Sequence, residues 1–232
     1  MSGIAANLAQ VRERIATACA AAGREAADVE LLAVSKYNPA GDVREALAAG
    51  QIAFGENRVQ GLVAKSVELD DEPDVQWHLI GSVQTNKVRD IVRISNIELL
   101  HSLDRIKLAN GLHRELVAHD RSLQVLLQVN ATGEDQKHGC LPVEARALLD
   151  HVQAHCPSLQ VLGLMAMGPL GGESGPVFDR VAALRDDLRA ASGLPLETLS
   201  LGMSGDLEQA IAAGSTMVRV GTAVFGPAST KN

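Results

Sequence analysis

Val29-Glu30-Leu31-Leu32-Ala33-Val34-Ser35-Lys36 is a short apolar run that turns polar at its end, and seven more runs of this kind follow it. They are Ile52–Glu56, Val75–Gly81, Ile97–Leu103, Leu123–Asn130, Val161–Met167, Thr198–Ser204 and Thr216–Gly221. Most of the intervals between them carry helical periodicity. After Pro142 the residues Val143, Ala147, Leu148 and Val152 share one face, and after Gly175 so do Val177, Val181, Leu184 and Leu188. Near-continuous apolar strands separated by helices predict a parallel sheet covered on both faces. Eight such units in 232 residues predict a closed (β/α)8 TIM barrel, one domain over 1–232. An open doubly wound sheet is the alternative. Ile4, Leu8, Val11, Ile15 and Cys19 recur at helical spacing ahead of the first strand, with Gly23 at the capping position. An additional N-terminal helix is therefore expected.

Composition narrows the partners. Hydrophobic residues make up 46% and charged residues 21%, a mix that can bury a sizeable core. Aromatics at 2% provide no stacking platform for single-stranded nucleic acid. The net charge of −7 also opposes a polyanionic partner, so no nucleic acid is expected. No apolar run approaches the roughly 18 residues of a membrane span. Arg12, Glu13 and Arg14 interrupt any signal-peptide core. Cys19, Cys140 and Cys156 lie too far apart for a disulfide framework or a zinc spacing. A cytoplasmic monomer is the expectation.

In a barrel the chemistry belongs at the C-terminal strand ends. Lys36 closes the first strand and by alternation shares a face with Leu32 and Val34. Over an apolar interior its amine would be freed to attack an aldehyde, as Schiff-base lysines must. The alternative is a lysine that snorkels to solvent. At the last two strands, Ser200-Leu201-Gly202-Met203-Ser204-Gly205-Asp206 and Arg219-Val220-Gly221-Thr222-Ala223 combine glycines, hydroxyls and helix starts. Such loops bring backbone N–H groups to a phosphate. Asp206 would compete with that anion, unless it is an ordinary helix-start acid. Arg219 shares a face with Met217 and Gly221. Pointing inward it would donate to a ring nitrogen; pointing outward it would pair with a flanking helix. Lysine and phosphate loops together suggest a phosphorylated aldehyde or ketone held at both ends.

Other polar residues read as structural. His151, His155 and Cys156 sit at i, i+4 and i+5 of an outer helix without a third metal ligand nearby. His78 and His101 lie within strands and suit core or mouth positions. No base is spaced to activate Cys140 in Lys137-His138-Gly139-Cys140. Asn86 and Lys87 suit a solvated helix start as well as they suit ligand contacts.

With these features in place, the chain resembles the pyridoxal phosphate homeostasis protein family over its full length. The resemblance rests on Leu-Leu-Ala-Val-Ser-Lys at 31–36, Phe-Gly-Glu-Asn at 54–57 and Trp-His-Leu-Ile-Gly-Ser-Val-Gln-Thr-Asn-Lys at 77–87. His-Ser-Leu-Asp at 101–104, Gly-Leu-Met-Ala-Met at 163–167, Leu-Ser-Leu-Gly-Met-Ser at 199–204 and Met-Val-Arg-Val-Gly-Thr-Ala-Val-Phe-Gly at 217–226 extend it. It implies a fold-type III barrel like the N-terminal domain of alanine racemase, carrying pyridoxal 5′-phosphate (PLP) as a Schiff base on Lys36. It also implies Asn57 near the ring, Arg219 at the pyridine nitrogen, and Ser200, Ser204, Gly221 and Thr222 at the phosphate. Lys87 and Lys137 are conceivable secondary attachment points. Two positions depart from the family. Asn38 stands where a second lysine is frequent, and Arg58 where tyrosine is common.

The resemblance implies a PLP-binding protein that stores, buffers or delivers the vitamin B6 cofactor, with apo PLP-dependent enzymes as recipients. A racemase of this fold draws a second acid/base from a C-terminal domain, and the sequence ends at Asn232. The sole tyrosine, Tyr37, is expected on the face opposite Lys36. An inward Arg219 would keep the pyridine unprotonated and weaken the ring as an electron sink. Alternatives are a slow amino-acid racemase and, more remotely, a Schiff-base phosphosugar barrel enzyme.

Overall fold

The computed structural model describes residues 3–134 and 136–227. Eight parallel strands close into a barrel in chain order. They are β1 (Glu30–Val34), β2 (Ala53–Glu56), β3 (Gln76–Leu79), β4 (Ile97–Leu103), β5 (Leu123–Gln128), β6 (Leu159–Met165), β7 (Thr198–Ser200) and β8 (Met217–Val220). Closure is direct. β8 pairs with β1, aligning Met217 with Glu30 and Arg219 with Leu32, which excludes the open sheet.

Around the barrel lie α2 (Ala40–Ala48), α3 (Val59–Glu68), α4 (Val88–Val92), α5 (Ile106–Ala118), α6 (Pro142–His155), α7 (Gly175–Ser192), α8 (Leu207–Ala212) and α9 (Thr222–Phe225). The expected extra helix is α1 (Ile4–Ala21), which buries Ile4, Leu8, Val11, Ile15 and Cys19. Gly23 follows it at φ +67°, a left-handed conformation that ends the helix. No helix among the described residues is long and apolar enough to cross a membrane.

Strand alternation sorts the side chains. Leu32, Ala53, Leu99, Leu126, Met165 and Met217 form one apolar cluster inside the barrel. Residues such as Leu31, Phe54, Trp77, Leu100 and Leu127 join the larger core beneath the helices. Gly55 makes room inside, since a Cβ there would stand 3.3 Å from Leu32 Cδ2.

Several strands are shorter than the apolar runs suggest. Ser35 and Lys36 lie beyond β1, and 201–204 lie beyond β7. Gly202, at φ +86°, turns the chain out of the sheet, so its neighbours become a loop. These shortened ends build the rim where the polar residues gather.

Gly81 fixes one part of that rim. A Cβ on it would fall 1.9 Å from the Asn57 carbonyl oxygen, a backbone atom that cannot yield without moving the end of β2. Gly81→Ala is expected to cost roughly 2–3 kcal/mol, a fall in Tm of about 5–10 °C. Thermal unfolding checks this, and an unchanged Tm would mean that the two strand ends are not held together.

Candidate functional site

The C-terminal ends of β1, β7 and β8 enclose a cavity of about 380 Å³. Lys36, Tyr37 and Asn38 line it from the turn after β1. Met203, Ser204 and Gly205 face it from the loop after β7, and Arg219, Gly221 and Thr222 from β8 and the start of α9. The lysine and the glycine-rich loops thus meet at one place, as the strand-end reading expects.

Lys36 itself is exposed. Its amine stands at the mouth, 5.1 Å from the centroid of the Tyr37 ring, and is not sunk over the apolar interior. Tyr37 corrects the alternation argument. Because β1 ends at Val34, Lys36 and Tyr37 belong to a turn, and both line the same cavity.

What holds that turn was missed from the sequence. Ser35 is buried, and its hydroxyl donates to Glu56 Oε1 at 2.8 Å. Lys65 of α3 pairs with the same carboxylate and also donates to the Ser35 carbonyl. Glu56 is only 1% exposed, so the pairing answers a charge that would otherwise be buried alone. Nothing in the pattern around Lys65 sets it apart from a surface helix lysine.

Arg219 points inward and is buried. Its Nη1 donates to the Ser200 carbonyl at 2.6 Å and to Ser200 Oγ at 2.8 Å, and its Nη2 donates to the Ala166 carbonyl at 3.0 Å. Burial lowers its pKa to about 10, with Asp206 acting in the other direction, so it stays charged at neutral pH. Ser200 continues inward, with His101 Nδ1 at 3.1 Å from its hydroxyl and His78 Nδ1 at 3.0 Å from His101 Nε2. Burial pushes His78 down to about 4 and His101 well below the usual histidine range, the latter helped by His78 and Arg219.

The phosphate-type loops are tied from behind. Asp206 accepts from the Met203 N–H at 2.7 Å and from Ser174 Oγ at 2.8 Å, so its carboxylate is spent on shaping the loop. Arg14 of α1 donates to the Ser204 carbonyl at 2.8 Å and pairs with Glu208. Asn7 of the same helix donates to the Val224 carbonyl at 2.9 Å. The N–H groups of Ser204, Gly205 and Thr222 meet no protein acceptor among the described residues. They are available to an anion.

Two expected site residues are not among those lining this cavity. Ser200 is fully buried behind Arg219 and does not line the cavity. Asn57 is half-buried at the end of β2, also outside the lining. Lys137 donates to the Gly168 carbonyl at 2.6 Å and pairs with Glu134, while Lys87 lies 3.7 Å from Asp90. His151 bonds Asn110 at 2.7 Å and stacks on His155, and no metal-binding cluster occurs among the described residues. Cys140 is pushed up to about 12, chiefly by burial, which leaves an inert thiol.

Comparison with known proteins identifies the chain's relatives. The family described as "Alanine racemase, N-terminal domain" matches residues 6–229. A pyridoxal phosphate homeostasis protein of Pseudomonas aeruginosa is 47% identical over 226 residues, 97% of this chain and 96% of that one. One from Escherichia coli K12 is 41% identical over 233 residues, 97% of both chains. The structure of PipY from Synechococcus elongatus, with PLP bound, superimposes with a TM-score of 0.84 at 38% identity. That match covers 96% of this chain and all of PipY (100%). Alanine racemase from Corynebacterium glutamicum shares the fold alone, at 17% identity and TM-score 0.65, with 61% of its chain covered.

The buried histidines set a pH dependence. An imidazole with a folded pKa near 4, against about 6.5 unfolded, binds its proton more readily in the unfolded chain. Stability is therefore full above about pH 6.5 and is lost as pH falls towards 4. His78 alone predicts a loss of about 2 kcal/mol between pH 7 and pH 5. Urea unfolding at both pH values should show it, and His78→Gln should flatten the slope. A wild-type stability unchanged over that range would contradict the burial.

Proposed function

This chain belongs to the pyridoxal phosphate homeostasis protein family, and from that premise we propose that it binds PLP in the cavity at the ends of β1, β7 and β8. One observation carries the reading: Lys36, Arg219 and the two glycine-rich loops line a single cavity. The residues fit the group. A primary amine stands at the mouth for the aldehyde, a buried cation faces the interior, and free N–H donors wait at the loops for the phosphate. Ser204, Gly221 and Thr222 would hold the phosphate, and Lys36 would carry the cofactor as a Schiff base. Arg219 would face the pyridine nitrogen and Asn57 would lie close to the ring. Ser200 belongs instead behind the guanidinium that it bonds.

When bound, PLP supplies a conjugated ring able to accept electrons from an attached substrate. Arg219 works against that use. It remains charged and donates to a nitrogen without protonating it. This favours storage, buffering or delivery to apo PLP-dependent enzymes. A slow racemase is the second reading, because Tyr37 shares the cavity with Lys36. Incorporation of solvent deuterium at the α-carbon of an added amino acid, lost in Lys36→Ala, would favour it.

Borohydride reduction and peptide mapping should place a pyridoxyl phosphate on Lys36, with no visible absorbance in Lys36→Ala. A protein that stays colourless with added PLP would overturn the assignment. Ser204→Ala is expected to weaken PLP about tenfold, the loss of one hydrogen bond to a charged group, and to leave pyridoxal binding unchanged. Equal losses for both ligands would remove Ser204 from the phosphate.

A further inference from the structure

Arg219, Ser200, His101 and His78 form one hydrogen-bonded chain through the barrel, and its direction follows from its first member. A guanidinium only donates. Arg219 Nη1 donates a hydrogen bond to Ser200 Oγ, which leaves the serine's own O–H to donate to His101 Nδ1. His101 then carries its proton on Nε2 and donates it to His78 Nδ1. His78 is left with its proton on Nε2. The reverse tautomers would strand the proton of a fully buried serine without an acceptor.

At the far end, His78 lines a second cavity, of about 150 Å³, with Glu30, Gln76, Glu98 and Gln124 from the strand starts. The chain therefore runs from the mouth, where Lys36 stands, to the opposite end of the barrel. Each member fixes the next. The guanidinium turns the Ser200 lone pair towards itself, the hydroxyl sets the tautomer of His101, and His101 sets that of His78. The bonds act in both directions, so the two histidines in turn keep the hydroxyl facing Arg219.

We propose that Ser200, His101 and His78 are positioning residues that hold the Arg219 guanidinium towards the ring end of the cavity. The role rests on the reading that Arg219 faces the ring of bound PLP. The carbonyls of Ser200 and Ala166 anchor the guanidinium from one side. The relay adds a neutral acceptor whose direction cannot invert.

Two measurements test this. Long-range ¹H–¹⁵N NMR of the PLP-free protein at neutral pH should show both histidines neutral with the proton on Nε2. A proton on Nδ1 of either ring overturns the relay, whatever the protein binds. The second compares wild type, Ser200→Ala, His101→Leu and His101→Asn after loading with PLP and mapping the attached lysine. Ser200→Ala and His101→Leu should keep PLP on Lys36 with a displaced visible band and about tenfold weaker binding. His101→Asn, whose amide oxygen can replace Nδ1 as acceptor, should restore the wild-type band. Identical bands and affinities in all four proteins overturn the positioning role. A wild type that takes no PLP on Lys36 overturns the cofactor reading and the role with it, while the tautomers still report on the relay.

Discussion

A guanidinium buried inside a barrel is the constraint around which this site is built. Arg219 is 4% exposed, and a charge so placed costs several kcal/mol unless acceptors surround it. The acceptors come from the C-terminal ends of β6 and β7. β7 contributes the Ser200 carbonyl and hydroxyl, and the Ala166 carbonyl follows β6. The Ser200 carbonyl also accepts the Ala166 N–H at 3.3 Å, so one oxygen serves both the sheet and the cation. The small inward residues Ala53 and Gly55 lie two strands away from Arg219, on β2, where Gly55 lets Leu32 and Val34 fill the interior.

The loops that face the cavity are held by groups outside it. Asp206 binds the Met203 N–H and Ser174, which joins the loop after β7 to the start of α7. A Cβ on Gly168 would meet Ser174 Oγ at 2.3 Å and Asp206 Oδ2 at 2.7 Å, so this packing needs a glycine. From the other side α1 reaches both loops, through Arg14 at Ser204 and Asn7 at Val224. This explains why a helix outside the βα repeat belongs to the architecture. α8 and α9 are only six and four residues long, too short to fix their own N-termini by helix formation alone. The long helix across them supplies the rigidity.

The barrel was legible because strands covered on both faces read as near-continuous apolar runs, while helices buried on one face keep a 3.6-residue period. Leu32, Met217 and Arg219 fall inward as alternation requires. Alternation fails at Tyr37, because it holds only while the chain remains in the sheet and β1 ends three residues earlier. The reading of Asp206 also ran short. A carboxylate near a helix start has two opposite uses, and only the contacts to Met203 and Ser174 decide between them. Lys65 and Ser200 carry no sequence signal of their roles. Each depends on a partner far along the chain, Lys65 on Ser35 and Ser200 on His101.

Rigidity is distributed unevenly around Lys36, and this bears on the proposed storage role. Ser35, immediately before it, is buried and held by Glu56 and Lys65. Lys36 and Tyr37 lie in solvent, with Tyr37 63% exposed. A fixed base under an exposed amine returns the amine to one place while leaving its end open to water. Catalysis on a bound amino acid asks for more, because an acid or base must be held within hydrogen-bond reach of the proton it moves. Tyr37, in contact with the Lys36 amine only through its ring face, is not held in that way. The polar groups that are rigidly placed, Arg219 and the loops, serve the ring nitrogen and the phosphate in this reading. Precision is thus spent on gripping the ligand, and the reactive end stays accessible, an arrangement suited to cargo that must leave.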